Sequence, residues 1–142
     1  FRELQRSHRW DDWNLRVVNT RHSIQNLGLR LEAGSPTKVF CYSGDGMFTP
    51  TASKLYTNAD LLVHECYSQD GTVQNFRKET INIGTKTHCS MQQLERLDDM
   101  ARPKKMALIH VNRTLRKNRN GILKKYKQRR WIMPEPGDVI EL

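Results

Sequence analysis

Three short apolar runs constrain this chain most: KVFCY at 38–42, DLLVHE at 60–65 and KKMALIHV at 104–111. KVFCY is near-continuously apolar rather than alternating, the mark of a strand buried on both faces. The other two read as buried strands of the same kind. LRVVNTRH, beginning at Leu15, and LGLRLE at 27–32 read as two further strands, with AGSPT as a turn. Pro50 to Asn58 reads as a short helix with proline in its first turn. Ser90 and Gln93 form a capping-box pattern, and Met91, Leu94, Leu97 and Ala101 follow at helical spacing until Pro103. A basic helix is expected over 113–127, weakened at Gly121. RWIMP and DVIEL read as closing edge strands, residues 1–13 as an irregular lead-in and 66–86 as a polar loop. Strands alternate with helices, so the fold class is α/β.

Each of these strands ends in a residue with chemistry. His22 ends LRVVNTRH, Asp45 follows KVFCY within the turn SGDG, His64 and Glu65 end DLLV, and His110 ends MALI. His88 lies just before the capped helix. If the strand ends align, these groups gather on one edge of the sheet, where α/β proteins place their sites. Taken singly, each has a plain explanation. A lone histidine is more often a satisfied structural residue than a ligand, Asp45 can cap a turn, and Glu65 can pair with an arginine. Jointly, a set of His, Asp and Glu side chains suits a divalent metal such as zinc or manganese.

The 142 residues carry a net charge of +9, with a basic excess concentrated over 113–130. Arg113, Arg116, Lys117, Lys124 and Lys125 are the candidates for holding phosphates or nucleic acid. A solvated helix face is the plain alternative. No run is long enough to span a membrane. Cys41, Cys66 and Cys89 are odd in number and lack CxxC spacing, which points to core thiols in a reducing, cytoplasmic setting.

Four segments together resemble the second half of the metallo-β-lactamase-fold hydrolases, in the ribonuclease Z and phosphodiesterase branch. They are TRHSIQNLGLRLE, VFCYSGDG, ADLLVHECYS, and THCSMQQL followed by KKMALIHVNR. Their order and spacing agree over residues 14–142. The resemblance implies half of an αβ/βα sandwich. It implies His22 on a first metal, Asp45 bridging two divalent metals (zinc, or manganese) and His110 on the second. Glu65 and His88 would form a pair, with His88 donating a proton to the leaving oxygen and Glu65 orienting it. Gly46 stands where the family carries threonine. The family's His-x-His-x-Asp-His signature is absent from residues 1–142, and His8 does not replace it. The resemblance therefore implies a C-terminal half whose N-terminal half is truncated, disordered or supplied by a partner chain. On that expectation, strand residues such as Val39, Leu62 and Leu108 lose cover and favour association, including a homodimer.

The function so implied is metal-dependent hydrolysis of a phosphodiester or nucleic acid by a two-metal-activated water. Hydrolysis of a thioester, lactone or β-lactam on the same fold is the alternative. A non-catalytic basic nucleic-acid-binding module, or an inactive fragment, is the reading from outside the enzymes. Only LEAGSPT links the strands between His22 and Asp45, so the long tRNA-binding arm that such enzymes often carry there is missing, which favours a smaller ester. The basic stretch 113–130 pulls toward a polyanion.

Overall fold

In the computed structural model, residues 7–74, 77, 79–82 and 87–142 are described. A seven-stranded mixed sheet has the order β1-β2-β3-β4-β5-β8-β9, and β6 (Thr72–Gln74) and β7 (Thr80–Asn82) form a separate hairpin. Strands β1 (Ser7–Trp10), β2 (Trp13–Thr20), β3 (Asn26–Ala33) and β4 (Lys38–Tyr42) run antiparallel in sequence order. From β4 onward, β5 (Leu61–Glu65), β8 (Met106–Ile109) and β9 (Trp131–Ile132) pair in parallel. The three apolar runs thus lie side by side in the sheet. Their continuous hydrophobicity follows from that central placement.

Two turns of sign between β2 and β4 leave these strands pointing the same way. The C-terminal ends of β2, β4, β5 and β8 therefore share one edge, and the residues singled out above sit at that edge.

Helices cover one face. Cys41, Leu62, Met106 and Leu108 form a core with Ala52 and Tyr56 around α1 (Pro50–Leu55) and with Met91, Leu94, Leu97 and Ala101 of α2 (Met91–Ala101). Ile122 of α4 (Arg119–Lys125) and Tyr126, Trp131 and Met133 close it. Burying the leucines, isoleucine and methionines among them is worth about 1.5–3 kcal/mol each. Helix α2 begins at Ser90 with both hydrogen bonds of a capping box, and it ends at Arg102 in the left-handed region, directly before Pro103.

The structure corrects the expectation about cover. Leu62 and Leu108 are buried and Val39 packs against the same core, so all three face the helices. The alternate residues point the other way. Leu15, Val17, Leu29, Leu31, Phe40 and Val63 fall on the opposite face by register and lie outside the helix-covered core.

Other boundaries also move. Of the expected lead-in, residues 1–6 lie outside the described residues, while 7–10 are a strand, because Asp11 and Asp12 turn the chain and set Trp10 opposite Trp13. Residues 66–86 contain strands β6 (Thr72–Gln74) and β7 (Thr80–Asn82). The basic helix is split into α3 (Arg113–Lys117) and α4 at Asn118, while Gly121 lies inside α4. DVIEL forms no strand. No helix among the described residues is long and apolar enough to cross a membrane.

Asp60 ties the entry of β5 to its neighbour. Its carboxylate accepts the Val39 N–H at 2.7 Å and the Lys104 ammonium at 2.7 Å. The Lys104 bond, ahead of the Val39 bond, holds its pKa below the usual carboxylate value. Because the folded pKa is depressed, this stabilisation is present above the ordinary pKa near 4 and is lost as pH falls through the folded value. Asp60→Asn is expected to cost about 1.5–3 kcal/mol near neutrality. Urea melts of both proteins from neutral to acid pH should converge at the acid end; a constant gap would remove the charge-based account.

Candidate metal centre

Building the centre begins at the turn after β4. Gly44 has φ +68°, and a Cβ there would lie 2.5 Å from the Leu27 carbonyl oxygen, so only glycine fits. At Gly46 an added Cβ would come within 2.8 Å of the Arg21 carbonyl oxygen. That close approach accommodates a two-bond bridge between Arg21 and Met47, at 2.8 and 2.9 Å, which draws the end of β2 against the turn. The Asp45 N–H donates to Asn26 Oδ1 at 3.1 Å, leaving the carboxylate free to project from the edge.

Both oxygens of Asp45 face imidazoles. Oδ1 lies 2.5 Å from His110 Nδ1 and 3.5 Å from His88 Nδ1, while Oδ2 lies 3.9 Å from His22 Nε2. Glu65 Oε2 is 3.5 Å from His88 Nδ1. One ligand atom each from Asp45, Glu65, His88 and His110 can be chosen so that all lie within 4.8 Å of one another. His22 stands just outside that group, against the other oxygen of Asp45. The structure therefore brings together five of the six residues marked at strand ends and before the helix: His22, Asp45, Glu65, His88 and His110. It does not bring in His64, whose side chain points to the helix face between Phe48 and Tyr56. Burial pushes that imidazole down to about 4.

Glu65 is fully buried at the end of β5. Its Oε1 accepts the Cys89 N–H, and its own N–H donates to Ser43 Oγ at 3.1 Å. Burial, reinforced by the charge of Asp45 and opposed by the Cys89 bond, pushes its carboxyl up to about 8. Burial also lowers the His88 pKa; Asp45 opposes this, while His110 and His22 add to it. Glu65 Oε2 and His88 Nδ1 are buried polar atoms without a hydrogen-bond partner. Orphaned acceptors beside an exposed carboxylate fit a cation, and mixed nitrogen and oxygen donors suit zinc or manganese.

The residues of the basic stretch divide. Arg116 and Arg119 reach Glu135 at 3.0 and 3.7 Å. Arg129 is held by Asp98 and Asp99 at 2.9 and 2.8 Å. Arg113, Lys117, Lys124 and Lys125 are exposed. Residues that sequence reasoning missed are Ser43, Asn26 and Tyr67, which bond to the backbone of Glu65, Asp45 and Cys89 and so position the cluster; nothing in their spacing marks them.

No protein-family model matches the sequence, and no curated protein does. Solved structures do. The short form of human tRNase Z matches with a TM-score of 0.62 and 20% identity, over 78% of this chain and 42% of that one. The metallo-β-lactamase fold protein YhfI from Bacillus subtilis matches with a TM-score of 0.65 and 17% identity, over 86% and 47%. This chain has the metallo-β-lactamase fold. A diphosphatase of the PhnP family matches too, with a TM-score of 0.51 and 11% identity, over 76% and 36%. The chain thus spans less than half the length of these metallo-β-lactamase-fold neighbours.

Proposed function

We propose that residues 1–142 form the C-terminal half of a metal-dependent hydrolase that cleaves phosphodiesters, in the manner of ribonuclease Z. The observation that carries this reading is the convergence of Asp45, His110, His88 and Glu65 at the C-terminal edge of the parallel strands. Asp45 and His110 would hold one cation, and Asp45 with His22 a second. The two oxygens of Asp45 facing different imidazoles support a bridging role. Bound divalent cations supply an activated water and neutralise charge building on phosphorus. His88 would give a proton to the leaving oxygen. Glu65 sits behind it, anchored through Oε1 to the Cys89 N–H, with Oε2 left to orient the ring. The pairing of buried Glu65 with His88, which matches the ribonuclease Z and phosphodiesterase branch, favours phosphodiesters over thioesters, lactones or β-lactams. Exposed Arg113, Lys117, Lys124 and Lys125, with Arg116, would attract a polyanionic substrate.

On this reading each cation has about two protein ligands within residues 1–142, whereas catalytic zinc sites take about three. Residues 1–142 alone are therefore expected to bind zinc or manganese weakly and to leave bis(p-nitrophenyl) phosphate intact, while the full natural polypeptide binds metal and cleaves it. Metal analysis and a nitrophenolate assay on both forms test this. Two-metal binding with turnover by a monomer of residues 1–142 overturns the shared site; no hydrolysis by the full polypeptide overturns the enzyme.

A further inference from the structure

We propose that Tyr67 is a positioning residue that locks His88 and His110 into one arrangement; the roles of those two histidines rest on the reading above. Its backbone holds both loops. The Tyr67 N–H donates to the Cys89 carbonyl at 3.0 Å, and its carbonyl accepts the Asn112 N–H at 3.2 Å. One residue thus fixes the chain directly after His88 and two residues after His110.

The ring then sets the side chains. It stacks on His88 with centroids 4.8 Å apart and planes at 23°, and it meets His110 edge-on at 5.3 Å and 70°. Aromatic pairs in these geometries attract by about 0.5–1.5 kcal/mol beyond the area they bury. His88 needs that support, because its Nδ1 stands 3.5 Å from both Glu65 Oε2 and Asp45 Oδ1 without a hydrogen bond to either, so the carboxylates orient the ring only loosely. His110 needs it as well. Its φ is +48°, a left-handed conformation that a non-glycine residue keeps only when its surroundings hold it. The two imidazoles meet at 5.3 Å and 84°, so a shift of one displaces the other. Tyr67 touches both, which makes their orientations a single variable.

The test compares Tyr67→Phe, which keeps the ring, with Tyr67→Leu, which removes it. Tyr67→Met replaces the leucine variant if that one does not fold. Ile122→Val serves as a mildly destabilised control remote from the centre. Imidazole carbon–proton NMR signals of His88 and His110 are followed in the metal-free protein, and manganese affinity is measured by calorimetry on the full natural polypeptide. The ring-free variant is expected to shift both imidazoles together and to weaken manganese about tenfold or more, as supporting residues of metal sites do. Tyr67→Phe should restore both readouts, and Ile122→Val should move neither. Unchanged imidazole signals in the ring-free variant, or an equal change in the control, would overturn the role of Tyr67. If the parent cleaves no phosphodiester, the functional reading falls while the imidazole signals still decide for or against Tyr67.

Discussion

Asp45→Asn in the full natural polypeptide is expected to lower phosphodiester hydrolysis about a thousandfold or more and to remove at least one bound metal. The change is nearly isosteric, so its effect isolates charge. Asparagine offers one neutral oxygen where aspartate offers two anionic ones, and its amide would meet either His22 or the pair of His88 and His110. Losing several kcal/mol of charge stabilisation corresponds to that rate loss. The fold should not change. The Asp45 side chain is 50% exposed, and its backbone N–H, not its carboxylate, makes the bond to Asn26. Surface changes of this kind shift stability by less than about 0.5 kcal/mol. Metal stoichiometry, a thermal melt and the rate should therefore separate: the first and last collapse while the melt stays put. A variant that keeps full metal content and rate would show that Asp45 is only a turn residue.

His88→Ala decides between two roles that the geometry leaves side by side. Its Nδ1 lies near enough to Asp45 and Glu65 for a ligand, yet it also stands beside the carboxylate that would orient a proton donor. A general acid matters most when the departing group is a poor one. For a diester with an alkoxide leaving group, the loss is expected at about 10²–10⁴-fold in kcat. For a nitrophenolate leaving group, which needs little protonation, the loss should be under about tenfold. Metal content should stay intact in both cases. Equal losses with both substrates, accompanied by loss of metal, would make His88 a ligand instead.

How much of this was legible before the fold was known differs by element. KVFCY, DLLVHE and MALI were readable because central parallel strands are apolar on both faces, and hydrophobicity alone then marks them. Helix α2 was readable because Ser90 and Gln93 announce its start and Pro103 its end. The β1–β2 hairpin was not, since its signal is a cross-strand pairing of Trp10 with Trp13 that one strand does not reveal. The β6–β7 hairpin is short and polar and leaves no periodic trace. Within the centre, the ionisable residues stood out by position at strand ends. His64 misled because two adjacent residues at the end of a strand point to opposite faces, and only Glu65 faces the centre. Gly46 in place of threonine proved compatible with the turn, since the bridge between Arg21 and Met47 occupies the space a side chain would take.

The arrangement of the centre along the chain has a kinetic consequence. His22, Asp45, Glu65, His88 and His110 recur roughly every twenty residues, each delivered by a different strand end or loop. No two are neighbours in sequence, so every pairing among them closes a separate loop and carries its own entropic cost. Contacts of such long range are slow to form. The centre assembles only after β2, β4, β5 and β8 have found register, and a one-residue slip in any of them would turn its terminal side chain to the wrong face. If the centre holds a metal as proposed, its uptake during refolding should lag the recovery of secondary structure rather than accompany it.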